Sequence, residues 1–171
     1  MNDQPDLSKL TCTASEFGVL GAELLRMGNS VRFQARGSSM HPLVRDGDTL
    51  LITPCPAECL RVGDVVLCSA EPDRVLVHRV LRRRAGADGT QYFIRGDQAP
   101  TPDGWIDRER IHGCLEAVER DGRRIVMKRA TARIMGLLIV LGHALGLRQS
   151  KLAGVVSRLL KRTPYFAGYL N

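Results

Sequence analysis

A series of short apolar runs, separated by turn-forming residues, fills the middle of this 171-residue chain. The runs have the length and the β-branched composition of strands, and glycine, proline and aspartate divide them. Many short strands with regular turn signals favour an antiparallel sheet that forms a compact barrel or sandwich. The seven predicted strands are Val31–Ala35, Thr49–Thr53, Asp64–Cys68, Val75–Leu81, Gln91–Arg95, Ile111–Glu119 and Arg124–Lys128.

Helical patterns flank this β-rich region on both sides. Apolar residues recur at helical spacing from Thr13 to Met27, and Gly28 and Asn29 end the pattern. We therefore expect a mainly β fold with an N-terminal helix and a C-terminal helical pair. The predicted parts are an N-terminal helical segment (1–30), a β-rich core (31–128) and two basic amphipathic helices (129–171), the latter near 130–145 and 150–161.

Composition narrows the class of protein. Hydrophobic residues make up 44% of the chain and charged residues 25%, which excludes wholesale disorder, a collagen-like fibre and a polytopic membrane protein. The polar, acidic start predicts no secretory signal, and five cysteines without framework spacing predict reduced thiols in the cytoplasm. The longest apolar run, Ile134 to Leu147, is shorter than the roughly 20 residues that span a bilayer, so no transmembrane anchor is expected.

Four blocks in the β region carry groups suited to peptide hydrolysis. They are Gly37-Ser38-Ser39-Met40-His41-Pro42, Arg61-Val62-Gly63-Asp64, Val77-His78-Arg79 and Gly96-Asp97, the last followed by Asp103. A serine hydroxyl needs an adjacent base to become a nucleophile, and imidazole accepts its proton and returns it to the leaving amine. A carboxylate behind the imidazole fixes its tautomer and stabilises its charged form.

The order and spacing of these blocks resemble the signal peptidase I family, within the clan that also contains the LexA-type self-cleaving repressors. The resemblance covers roughly residues 31–118. His78 stands where bacterial members usually carry a lysine, which is similar to the branch of the family with a histidine base. The resemblance implies that Ser39 is the nucleophile and His78 the general base. It also implies that Asp103, or as second choice Asp97, is the carboxylate that orients the histidine.

Residues around Ser39 are expected to bind the substrate or the oxyanion. The resemblance assigns this role to Gly37, Ser38, Met40 and Pro42. Many bacterial members have a serine donor where this chain has Gly37, so we expect the oxyanion hole to depend on the Ser39 backbone N–H and another donor. The resemblance further implies a cleft for an extended substrate strand with small residues before the cut.

The expected function is that of a soluble serine endopeptidase that cleaves a precursor or leader peptide through a Ser-His(-Asp) mechanism, with no cofactor and no metal. One alternative is a peptide-binding regulatory module with little or no turnover. A second is a self-cleaving switch, cut at Ala85-Gly86-Ala87 in a predicted loop. Nucleic acid is a disfavoured partner, because the segment before the core is too short for a helix-turn-helix domain and aromatic residues are few.

Several other residues have competing interpretations. Cys55 and Cys59, with Cys68 nearby, suggest a zinc site only loosely, and buried free thiols are favoured because no second Cys/His pair completes the set. We expect Asp46, Asp48 and Asp64 to accept hydrogen bonds within turns and not to act as general acids.

The basic amphipathic helices of 129–171 can pack on the core, bind an acidic partner or lie on an anionic membrane. The expected location is therefore the cytoplasm, with peripheral contact at the inner membrane face as a variant.

Overall fold

The computed structural model describes residues 14–56, 59–71, 74–87, 89–127, 136–138 and 141. In these residues helix α1 (Ala14–Arg26) precedes eight strands, and a 3-10 turn spans Arg108–Arg110. The strands are β1 (Val31–Gln34), β2 (Thr49–Pro54), β3 (Val65–Glu71), β4 (Arg74–Gly86), β5 (Gly89–Arg95), β6 (Gly104–Asp107), β7 (Ile111–Arg120) and β8 (Arg123–Val126).

The strands form one curled antiparallel sheet, in the order β1-β2-β7-β3-β4-β5-β6. β8 pairs with the C-terminal half of β7, beside the part of β7 that pairs with β3. The prediction of a mainly β fold is confirmed, and all seven predicted strands are present within a few residues of their expected bounds. The sequence reasoning missed β6, because four residues are too few to produce a periodic pattern.

Both faces of the central strand β3 are buried. Val65 and Leu67 point into one apolar cluster, while Val66 and Cys68 point into another. Successive side chains of a strand alternate between its faces, so a strand buried on both sides must be apolar without interruption. The uniformly apolar segment from 65 to 68 is therefore explained by its position between the two clusters.

Helix α1 covers the first of these clusters. Leu25 is only 2% exposed and belongs to the cluster, and Phe17 packs on Phe33 with ring centroids 4.5 Å apart. Gly18 allows the helix to approach β4 closely, because a Cβ at this position would lie 2.3 Å from Val75 Cγ2. The outer side of α1 carries the exposed residue Val19.

A disulfide joins the sheet across two paired strands. Cys55, which directly follows β2, is bonded to Cys114 of β7. The prediction of free thiols is therefore wrong for these two cysteines, whereas Cys59 and Cys68 are free. Burial raises the pKa of the Cys68 thiol to about 12. The sequence did not indicate the disulfide, because Cys55 and Cys114 are 59 residues apart and only the pairing of β2 with β7 brings them together.

A short helical piece is described beyond β8. Residues 136–138 and 141 are helical, and Gly136 packs on the turn before β3, where a Cβ would lie 2.4 Å from Gly63 Cα. The rest of the predicted C-terminal helical pair and residues 1–13 lie outside the described residues. Within the described ranges, no helix combines the length and the apolar character needed to cross a membrane.

Removing the disulfide should weaken the fold measurably. Cys55→Ser/Cys114→Ser is expected to lower the free energy of unfolding by about 2–4 kcal/mol, because the cross-link closes a long loop in the unfolded chain. Denaturant titration of the oxidised protein measures the change. Cys59→Ser is the matched control, since it removes a half-buried free thiol and should change the value by less than about 1 kcal/mol. Equal unfolding midpoints with and without a reducing agent would contradict the disulfide.

Candidate active site

Three side chains from separate parts of the chain meet in one hydrogen-bonded line. Ser39 lies in the turn after β1, His78 on β4, and Asp103 just before β6. Ser39 Oγ is 2.8 Å from His78 Nε2, and His78 Nδ1 is 2.6 Å from Asp103 Oδ2. A carboxylate oxygen can only accept, so Nδ1–H donates to Asp103, and in the neutral imidazole Nε2 then accepts from the Ser39 hydroxyl. The predicted contact between Ser39 and His78 is therefore present, in the direction that withdraws the serine proton.

The three side chains of this hydrogen-bonded line differ in their exposure to solvent. The His78 and Asp103 side chains are 6% and 9% exposed, whereas Ser39 is half-buried. The contact between His78 and Asp103 is thus largely shielded from water, where a charge-assisted hydrogen bond is stronger. Ser39 is the member of the line that a ligand can reach. The arrangement can chemically activate a serine hydroxyl for attack on a bound carbonyl group.

Asp97, the second-choice carboxylate, does not contact His78. Its oxygens accept hydrogen bonds from Arg79 Nε at 2.7 Å and Nη2 at 2.6 Å. Arg79 is fully buried and donates its third bond to the Gly63 carbonyl at 2.8 Å. Because both oxygens of Asp97 are engaged by a bidentate ion pair, this carboxylate does not orient the histidine. The assignment of Asp97 to the site is wrong, and Asp103 is the carboxylate that the fold brings to His78.

The loop that carries Asp97 also holds the serine turn. Gln98 N–H donates to the Ser39 carbonyl at 2.7 Å, and Asp97 N–H donates to Met40 Sδ at 3.4 Å. At Gly96 a Cβ would lie 2.9 Å from both His78 Nε2 and the Ser39 carbonyl oxygen. Only glycine leaves room for the serine and the histidine to meet. Sequence reasoning recognised the Gly96-Asp97 block but missed this steric role.

Gly37 is not free to donate to an oxyanion. Its N–H already donates to Asp46 Oδ1 at 2.7 Å, and its φ of +87° is one that side-chain-bearing residues rarely adopt. Gly37 therefore shapes the turn, and its N–H is engaged by Asp46 in this structure. The Ser39 N–H has no hydrogen-bond acceptor among the described residues, so it remains a donor for a ligand. Ser38, exposed and adjacent, carries a hydroxyl that can supplement it.

Met40 and Pro42, which were expected to bind the substrate or the oxyanion, lie in the interior of the protein. Both side chains are buried, Met40 with only 3% of its surface exposed, and Met40 belongs to the apolar cluster beneath α1. These side chains therefore support the turn from below. His41, between them, is exposed. Partial burial and the charges of Arg45 and Arg120 lower its pKa.

Three further aspartates accept hydrogen bonds from backbone N–H groups in turns, as predicted. Asp46 caps the Gly37 turn, as described above. Asp48 Oδ2 accepts the Arg45 N–H at 2.7 Å, and Asp64 Oδ2 accepts the Arg61 N–H at 2.8 Å. Each of the latter two carboxylates closes a turn three residues back along the chain. These residues are therefore structural.

The structure contains a second serine–histidine contact. Ser69 Oγ is 2.7 Å from His112 Nε2. Ser69 pairs with Val75, which by strand alternation lies on the face of β4 opposite to His78. Burial, then Arg108 and Arg110, lowers the pKa of His112. Among the described residues no carboxylate binds His112, so this pair lacks the third member that Ser39 and His78 have. No pattern in the sequence indicated it.

Comparison with known proteins adds no family or relative. No protein-family model matches the chain, and a search of curated proteins finds no match. In the described ranges, no group of three or more His, Cys, Asp or Glu side chains is arranged to hold a metal ion. The interpretation of the site therefore depends on its motifs and on its geometry.

Filling the space at Gly96 should separate the serine from the histidine. In Gly96→Ala we expect the reaction of Ser39 with a fluorophosphonate probe to slow by about 10–100-fold, since a displacement of about 1 Å has effects of this size. The rate of probe attachment, located by mass spectrometry, measures the effect. Gly21→Ala is the matched control, because its Cβ would meet only an ordinary contact with the Phe17 ring at 3.4 Å. Equal rates in the two variants would show that Gly96 does not position the site.

Proposed function

We propose that this protein is a serine endopeptidase that cleaves a peptide or protein precursor. Ser39 is the nucleophile, His78 the general base and Asp103 the carboxylate that orients the base. The observation that supports this proposal most directly is the hydrogen-bonded line from Ser39 Oγ to His78 and from His78 to Asp103. The Ser39 and His78 blocks of the sequence, with their resemblance to signal peptidases, support it independently.

The first half of the reaction forms an acyl-enzyme. Ser39 Oγ attacks the scissile carbonyl carbon while its proton passes to His78 Nε2. Asp103, which accepts from Nδ1, stabilises the imidazolium that results. The backbone N–H of Ser39 donates to the oxyanion of the tetrahedral intermediate. When the intermediate collapses, the C–N bond breaks and Nε2 gives its proton to the leaving amine.

The second half regenerates the enzyme with the same groups. A water molecule gives a proton to His78 Nε2 as its oxygen attacks the ester carbonyl. The ester bond to Ser39 then breaks, and the serine oxygen recovers the proton from His78. Every proton transfer is made by His78, which agrees with its two well-defined hydrogen bonds.

The substrate is proposed to be an extended peptide segment with small residues before the cut. This part of the proposal depends on the resemblance to signal peptidases. The shallow position of Ser39, half-buried beside the exposed Ser38, agrees with a substrate that lies across the surface.

Geometry disfavours self-cleavage within one chain. Ala85-Gly86-Ala87 lies at the far end of the β4–β5 hairpin. His78 and Gly86 are eight positions apart on β4, which corresponds to roughly 26 Å at about 3.3 Å per residue. The proposed cut is therefore too far from Ser39 for an intramolecular reaction in this conformation. The non-catalytic binding module remains the alternative that experiment must separate from an enzyme.

The cellular location belongs to the proposal as well. The odd number of cysteines without framework spacing favours the cytoplasm. The disulfide between Cys55 and Cys114 is instead typical of proteins in oxidising compartments. We therefore propose that the protein functions in a compartment that is oxidising enough to keep this disulfide formed. Trapping the thiols by alkylation in intact cells, before lysis, tests this directly.

The enzyme and the binding module differ in their response to Ser39→Ala. A proteome-derived peptide library incubated with the full chain should yield new termini with the wild type and none with the variant. Mass spectrometry of the library identifies the cut sites and the residues that precede them. Losing one hydroxyl at a turn changes stability by less than about 1 kcal/mol, which thermal melting verifies. Identical cleavage by wild type and Ser39→Ala would refute the assignment of the nucleophile.

Replacing the two neighbouring carboxylates should have different effects, on catalysis for Asp103 and on stability for Asp97. Asp103→Asn is expected to reduce kcat by about 10²–10⁴-fold with little change in stability, because the amide favours the wrong histidine tautomer. Asp97→Asn, the matched control, should lower the free energy of unfolding by about 3 kcal/mol, because it leaves the charge of buried Arg79 uncompensated. Kinetics and denaturation of both variants provide the comparison. If Asp103→Asn retains full activity, the site is a Ser-His dyad.

A further inference from the structure

Charge is distributed unevenly along this chain. Residues 122–171 contain ten Lys or Arg residues and no Asp or Glu. Of the chain's formal net charge of +7, this segment therefore contributes +10, whereas residues 1–121 contribute −3. The same segment is rich in leucine, isoleucine and valine between its basic residues. A basic, apolar segment thus follows a weakly acidic β core.

Two leucines of this segment are exposed on a helix. Leu137 and Leu141 are each 56% exposed, and they are four positions apart, which places them on one face of the helix. Gly136, in the same turn, is buried against Gly63. The contact with Gly63 fixes one side of this turn on the core, while the leucine ridge (Leu137 and Leu141) points to solvent.

We propose that the leucine ridge and the basic residues of 122–171 bind an anionic lipid surface. Helices that lie in the membrane interface combine an exposed apolar face with lysine and arginine, and their binding increases with both. The ten basic residues are spread over fifty positions with no acidic residue among them, and Arg124 contacts Glu116 of β7 at 3.3 Å. An anionic lipid surface attracts a segment with such an excess of positive charge, and its apolar interior can bury the exposed leucines.

The position of the ridge connects this surface to the candidate active site. Gly63, on which Gly136 packs, accepts a hydrogen bond from Arg79, the residue next to His78. Lipid binding through Leu137 and Leu141 therefore holds the Ser39 region near the membrane surface. Substrates attached to or emerging from that surface then come close to the candidate site. The binding itself does not depend on peptidase activity.

Vesicle sedimentation of the full chain tests the proposal. The wild type should pellet with mixed phosphatidylglycerol/phosphatidylcholine vesicles, less so in high salt, and not with pure phosphatidylcholine vesicles, because salt screens the attraction to anionic headgroups. Leu137→Glu/Leu141→Glu should weaken binding about tenfold or more, since the two leucines can no longer be buried in lipid. Circular dichroism establishes that the variants are folded.

A charge-matched control separates apolar insertion from net charge. Val19→Glu/Met27→Glu changes the charge by the same amount at residues that are 70% and 68% exposed on or beside α1, and it should bind almost as the wild type does. Leu137→Ala/Leu141→Ala, which changes no charge, should give an intermediate loss. Absence of wild-type binding to the anionic vesicles, or equal binding by the two glutamate variants, overturns the proposal. Binding to soluble polyglutamate but not to vesicles would identify an acidic protein partner instead, and would also overturn it.

Discussion

The buried ion pair between Arg79 and Asp97 is the interaction on which the candidate site depends. Burying two charges is costly, and the cost is offset only when every donor and acceptor finds a partner. Arg79 is fully buried, and it satisfies this condition by binding both oxygens of Asp97 and the Gly63 carbonyl. The pair thereby fixes β4 to the loop at 96–98, and that loop in turn holds the carbonyl of Ser39.

This arrangement explains why two nearby aspartates have different roles. Both oxygens of Asp97 are bound by Arg79, and the carboxylate that contacts His78 is Asp103. The comparison with Ser69 and His112 shows what this third residue contributes. That pair has the same serine–histidine distance to within 0.1 Å but no carboxylate partner in the described residues. A serine beside a histidine is therefore common enough to be structural, and the orienting carboxylate is what makes Ser39 a candidate nucleophile.

The two proposals describe separate parts of the chain with separate chemistry. The peptidase proposal depends on the buried polar contacts of His78 inside a weakly acidic core. The lipid proposal depends on two exposed leucines and on the excess of positive charge after residue 121. They meet at Gly63, which contacts Gly136 on one side and Arg79 on the other. An enzyme built in this way would act on substrates close to a membrane surface while its catalytic groups remain within the sheet.

The sequence by itself determined the strands, helix α1 and the Ser39 and His78 blocks, because hydrophobic periodicity, turn residues and short motifs are properties of neighbouring residues. It did not determine β6, which is too short to be periodic, or the buried positions of Met40 and Pro42. The ion pair that engages Asp97, the disulfide of Cys55 with Cys114 and the steric role of Gly96 were decided by tertiary structure alone. Each depends on which strands pair and in which register, and these pairings join residues that are tens of positions apart. Local sequence cannot specify such contacts, since they exist only once the sheet has formed.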